Sequence, residues 1–140
     1  MRLTFLAAAA SAALLAAPAQ AESLTVELDG VRATAGRLSV SVQTRDQFMQ
    51  QNGVAGSVLT SPSGGAHTFS FEVPAGEYAV SVWHDDNGNG RFDSDETHRP
   101  LDGWAMVNGD QIDSEPRFDQ VKTSVADSPV RVRLAMIYGR

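Results

Sequence analysis

Residues 85–96 read DDNGNGRFDSDE and satisfy the EF-hand-like calcium-loop pattern D-x-[DN]-x-[DN]-G-x5-E at every specified position. In that pattern Asp85, Asn87 and Asn89 supply side-chain oxygens at positions one, three and five, and Arg91 its backbone carbonyl at seven. Asp93 supplies a direct or water-bridged oxygen at nine and Glu96 two oxygens at twelve, while Gly90 makes the sharp turn at six. Hard oxygen donors suit Ca²⁺, which takes six to eight of them, and alternating donor with spacer lets one short loop wrap the ion. The segment holds five carboxylates (Asp85, Asp86, Asp93, Asp95, Glu96) and one cation, Arg91, a formal charge of −4. Like charges a few ångströms apart repel by about 1 kcal/mol per pair in water and more near a protein surface. A divalent cation relieves that repulsion. The competing reading is an ordinary turn, since Asp, Asn and Gly are also turn residues. Glu96 is the weakest point of the pattern, because Pro100 limits any exiting helix to about one turn.

Other chemistry-bearing residues are less organised. His67, His84 and His98 are separated by 17 and 14 residues, which matches no local zinc motif. His84 shares parity with Val82 and is expected at the end of the core, hydrogen-bonded to the loop it precedes. Trp83 and Trp104 are expected to pack across a sheet face; exposed together, they would make a platform for a glycan or an envelope protein. The acidic residues between 110 and 119 read as a solvated loop. There is no G-x-S-x-G elbow, no cysteine nucleophile and no phosphate-binding glycine loop, so the expectation is a non-enzymatic protein.

The elements that must position the loop are strands. Apolar residues fall at every second position in Leu24, Val26, Leu28 and again in Leu38, Val40, Val42. The same spacing recurs in Phe69, Phe71, Val73, in Tyr78, Val80, Val82, and in Val130, Val132, Leu134, Met136. Period two means strands with one buried face. Weaker candidates cover residues 54–60 and 118–125, giving about seven strands. Turn residues separate them at Asp29-Gly30, Ser63-Gly64-Gly65, Pro74-Ala75-Gly76 and Asp127-Ser128-Pro129, which predicts hairpin-like antiparallel connections. One helical turn is expected over residues 46–51, capped by Asp46. The fold class that follows is all-β, an antiparallel β-sandwich of about seven strands with one long Asp/Asn/Gly-rich loop. Between His84 and Phe118 lie about 30 residues without a clear strand, far more than a usual connection.

Residues 1–21 combine Arg2, a Leu/Ala run and the small-x-small ending Ala19-Gln20-Ala21, the features of a secretory signal peptide. Cleavage after Ala21 would leave residues 22–140 as a single β-sandwich domain. Losing Arg2 moves the formal net charge of −6 to −7. A chain this acidic is not a general nucleic-acid binder. No later run approaches the roughly 20 apolar residues of a membrane span, so no transmembrane anchor is expected after cleavage, and the location is periplasmic or secreted. The chain has no cysteine, hence no disulfide and no lipoprotein anchor. A metal ion is the remaining candidate cross-link.

The segment PAGEYAVSVWHDDNGNGRFD, residues 74–93, is similar to the P-x-G-x-Y-strand-HD-x-N-x-N-G-x-x-D segment of the bacterial domain of unknown function 2141, found in small exported proteins. The likeness extends more loosely over an opening strand ending at Gly30, a strand after Gly36, the Gly103-Trp104 segment and a closing strand ending at Tyr138. The resemblance implies a transthyretin-like or prealbumin-like sandwich and export, with no established activity. That fold also hosts the hydroxyisourate hydrolases, which makes a small hydrolase the second alternative function. Their closing Tyr-Arg-Gly-Ser is here Tyr138-Gly139-Arg140, and the early histidine is missing, so no catalytic role carries over. The functional expectation is an exported β-sandwich whose calcium loop stabilises a binding edge, with a carbohydrate- or envelope-binding module using Trp83 and Trp104 as the first alternative.

Overall fold

The computed structural model describes residues 20–139; the expected signal peptide therefore falls almost wholly outside the described residues. Eight strands and one short helix follow in order: β1 (Ala21–Val31), β2 (Arg37–Gln43), β3 (Ala55–Thr60), β4 (Gly65–Pro74), β5 (Gly76–Asp85), β6 (Gly103–Ala105), α1 (Phe118–Val121), β7 (Lys122–Val125) and β8 (Val130–Ala135). They form two sheets. One is ordered β4-β1-β8; the other is ordered β3-β2-β5-β6, with β7 also beside β5.

Period-two alternation decides which faces meet. Leu24, Val26 and Leu28 from β1 are fully buried, as are Leu38, Val42 and Val80 across the gap in β2 and β5. With Phe69, Phe71, Val132, Leu134 and their neighbours they make one continuous core between the sheets. Fully burying a side chain of this size is worth about 1.5–3 kcal/mol relative to leaving it in water. The fold class is thus the expected all-β one, with a two-sheet core.

Four details differ from expectation. The segment 118–125 begins as a turn of helix, α1, and becomes strand only at Lys122, because Phe118 and Val121 are used on the outer face of the second sheet, over Ala79. β6 is an added three-residue strand inside the long excursion. The connections are also not a series of hairpins: β4 lies in one sheet and β5 in the other, and β8 runs parallel to β1 from Leu24 beside Val130 to Asp29 beside Ala135. Chain that crosses between the sheets brings two apolar faces together, which a hairpin within one sheet does not. The expected turn over 46–51 is instead a 3₁₀ turn at Arg45–Gln47. There the Thr44 N–H bonds to Gln47 Oε1 at 3.1 Å.

The two flanks of the sandwich are unequal. After β8, Ile137 and Trp104 exchange backbone hydrogen bonds of 2.8 Å each way, tying the end of the first sheet to β6 of the second. On the other flank β3 and β4 are both edge strands. A cleft of about 420 Å³ lined by Leu59, Phe69 and Phe71 lies there.

Candidate metal centre

β5 delivers two consecutive buried polar residues to its C-terminal end. His84 points between the sheets and is fully buried. The Tyr138 hydroxyl accepts the Arg32 N–H at 2.9 Å and lies 2.7 Å from His84 Nδ1. His84 Nε2 is 2.9 Å from Thr34 Oγ1. A neutral ring serves both contacts, one nitrogen donating its N–H to one hydroxyl and the other accepting from the second hydroxyl. Burial pushes His84 below its ordinary imidazole pKa, in the same sense. The expected bond from His84 to the following loop is not made; strand parity aims the ring inward while the loop leaves outward.

Asp85 is buried at the base of the loop, and β2 passes close beside it. A Cβ on Gly36 would stand 1.6 Å from the Asp85 carbonyl oxygen, so only glycine permits this approach. Asp85 then folds the loop over itself. Its Oδ1 accepts the Asn89 N–H at 3.1 Å and its Oδ2 the Gly90 N–H at 2.8 Å. Gly90 has φ +77° with open space around it, so the left-handed turn, not crowding, requires glycine there.

The next donors converge on Asp93. Its Oδ2 accepts Asn87 Nδ2 at 2.7 Å and Asn89 Nδ2 at 2.6 Å. These two carboxamides, followed by the Arg91 charge, hold the Asp93 carboxyl below the usual carboxylate range. Asn87 Oδ1 accepts the Asn89 N–H at 3.1 Å, and Asn89 Oδ1 the Arg91 N–H at 2.9 Å. Positions one, three, five, seven and nine of the pattern thus lie in one hydrogen-bonded turn.

Glu96 lies apart from it. Asp93 O accepts the Leu101 N–H at 2.8 Å, Ser94 bridges Pro100, and Asp95 N–H bonds to Arg99 O at 2.9 Å, so residues 94–100 form a small hairpin. Glu96 is exposed near its tip. Asp95 closes the hairpin: its Oδ1 accepts the N–H and hydroxyl of Thr97 and the N–H of Arg99, which lower its pKa.

A residue outside the sequence pattern completes the site. Asp102 is 1% exposed, and its Oδ2 accepts Trp83 Nε1 at 2.8 Å and the Asp93 N–H at 3.2 Å. Burial raises the Asp102 pKa above its ordinary value. Asp102 fastens the loop to the sheet through backbone and indole, and the edge of Phe92 meets Trp83 with ring centroids 6.2 Å apart. Phe92 is 52% exposed, so it rests on the outer face and does not enter the core.

Among the described residues, no three His, Asp or Glu side chains come together in a metal-ligating arrangement. The side-chain donor set of the turn is two carboxylates and two carboxamides. That chemistry fits a hard cation and does not fit zinc, which takes imidazole and thiolate.

The family described as an uncharacterized protein conserved in bacteria (DUF2141) matches residues 26–133. This chain belongs to DUF2141. The match begins in β1 and ends in β8, so the family's common part includes every core strand and the whole loop. Neither curated proteins nor solved structures gave a match.

In this DUF2141 member the other candidate residues are dispersed. Trp83 and Trp104 are directly opposed on β5 and β6, both half-buried on the outer face. His67 bonds to Ser63 O at 2.7 Å on the far flank, His98 is exposed in the 94–100 hairpin, and His84 is in the core. Asp119 belongs to a surface ion-pair network, with Arg45 at 2.6 Å and Lys122 at 3.4 Å.

Proposed function

We propose that this DUF2141 protein is an exported, non-enzymatic β-sandwich whose 85–96 loop binds Ca²⁺ and thereby stabilises the rim formed by β5, β6 and their loop. The observation that carries the reading is the approach of Asn87 and Asn89 to one Asp93 carboxylate oxygen, above a buried Asp85 that folds the same turn. Asp85, Asn87, Asn89, Asp93 and the Arg91 carbonyl would hold the ion. Glu96, displaced into the hairpin, would join only if the hairpin turned. A shell with few charged ligands suits an affinity in the range of about 10⁻⁴–10⁻³ M, typical of extracellular modules. The ion would supply positive charge to a loop of formal charge −4; the chain's own part is to gather Asp85, Asn87, Asn89 and Asp93 in one turn, whose carboxamides would turn their oxygens from backbone N–H groups to the ion, and to keep the loop on the sheet through Asp102.

Metal analysis with calorimetric titration tests this. The wild type should bind one Ca²⁺ and the double variant Asp85→Ala with Asn89→Ala none. Equal heats from both proteins would refute the ligand assignment.

A second reading, a carbohydrate- or envelope-binding module, is favoured by the opposed indoles. Next to Trp104 is a recess of about 290 Å³ lined by Arg99, Leu101 and Ile137. Against it, the Trp83 N–H is already used by Asp102.

A further inference from the structure

Residues 47–71 are 25 in succession without Asp, Glu, Lys or Arg, in a chain that carries 28 such residues among 140. This stretch builds β3 and most of β4, the two free edges on the open flank. Sheet edges are normally guarded by charge, proline or cover, because their unpaired N–H and C=O groups invite another strand. β3 has no charged residue and no proline, and Val54 and Val58 beside or on it are 47% and 50% exposed.

Ladder geometry states which groups are free. Ser61 N–H bonds to Gly36 O at 3.1 Å, and β3 is antiparallel to β2 with Leu59 opposite Leu38 and Ser57 opposite Val40. Antiparallel hydrogen bonding alternates along a strand, so the amides of residues 55, 57 and 59 face β2 while those of Gly56, Val58 and Thr60 face outward. Three outward residues centred on Val58 form a self-complementary set. An antiparallel copy pairs Gly56 with Thr60, Val58 with Val58, and Thr60 with Gly56.

We propose that a second copy of this chain pairs with the β3 edge, antiparallel and about a two-fold axis at Val58, joining the two five-stranded sheets into one. Charge selects this occupant. The chain is acidic overall, with a formal net charge of −6, so copies repel over most of their surface. Cationic partners are drawn to the 85–96 loop. The uncharged β3 edge is matched by an equally uncharged edge, and a second copy brings one of identical length and register. A two-fold contact of this kind closes on itself and stops at the dimer. The proposal is independent of the calcium reading.

The test is sedimentation of the purified chain over a wide concentration range, with variants at the axis. Wild type should approach twice the monomer mass, and Val58→Lys, which sets like charges opposite each other, should stay monomeric with an unchanged circular dichroism spectrum. The chain has no cysteine, so Val58→Cys introduces one thiol per copy. Facing Cα atoms in a hydrogen-bonded antiparallel pair are about 5.5 Å apart, within disulfide reach. Oxidised Val58→Cys should therefore become a covalent dimer, whereas Thr68→Cys on β4 should not. A wild type monomeric at every concentration, a dimer that Val58→Lys leaves intact, or equal cross-linking at both positions would overturn the proposal. Another protein found on this edge in place of a second copy would overturn it as well.

Discussion

The two ends of β5 meet the same electrostatic problem in different ways. Near its start, Glu77 and Asp119 face Lys122 and Arg45, with Lys122 Nζ 3.1 Å from Glu77 and Arg45 2.6 Å from Asp119. Two anions are matched by two cations. At its other end Asp85 and Asp93 are satisfied by N–H groups of the backbone and of Asn87 and Asn89, which are neutral. Neutral donors stabilise each carboxylate yet leave the net negative charge in place. The first end is therefore neutralised within itself, and the second is the end at which the proposed cation would act. The sites differ in shape for the same reason: the ion pairs are spread over an open face, while the loop is wound tightly by Gly88 and Gly90, both with positive φ.

The comparison can be broken most forcefully at the base of the loop. Gly36→Ala places a methyl against the Asp85 carbonyl, so β2 and β5 must part just where the loop begins. A loss of about 3 kcal/mol is expected, at the upper end of overpacking costs. Calcium binding should weaken with it although no donor is altered. Urea unfolding with and without chelator checks this, and a near-neutral substitution would mean that the close approach does not hold Asp85 in place.

At the paired end the expected effect is smaller and depends on pH. Arg45 first, with Lys122, holds the Asp119 pKa at about 2. In the unfolded chain an aspartate titrates near 3.9. A depressed folded pKa contributes stability above the unfolded value and loses it as pH falls, here from about 4 towards 2. Asp119 is exposed, so the contribution is modest and screened by salt. Thermal unfolding between pH 5 and 2 should decline less steeply in Asp119→Asn than in wild type at low salt. Identical acid limbs would show that the network is ornamental to stability.

The sequence revealed these regions unequally, for physical reasons. Long strands with one wet face declare themselves by alternation, so β1, β2, β4, β5 and β8 could be read directly. β6 could not, because three residues with a single outward Trp104 have no measurable period. Residues 118–125 read as one weak strand although Phe118, Val121 and Val125 are three and four apart, because a single helical turn is too short to show its period. The parallel partnership of β1 and β8 has no local signature at all; periodicity specifies a face, never a neighbour. In the loop, the spacing from Asp85 to Asp93 identified residues that the turn does bring together. The place of Glu96 was not legible, since the 94–100 hairpin is set by backbone pairing and by Asp95. Asp102 has no signature in the sequence, because it stands outside the motif and meets Trp83 and the Asp93 amide only once β6 pairs with β5.

The most direct measurement is unfolding of the wild type in calcium and in chelator at matched ionic strength, beside Asp93→Ala and Glu96→Ala. Calcium at about 100 times its Kd should add roughly 2.7 kcal/mol to the native state. Glu96→Ala should retain most of that increment and Asp93→Ala should lose it. Superimposable wild-type curves, or an increment abolished by Glu96→Ala and kept by Asp93→Ala, would contradict the account.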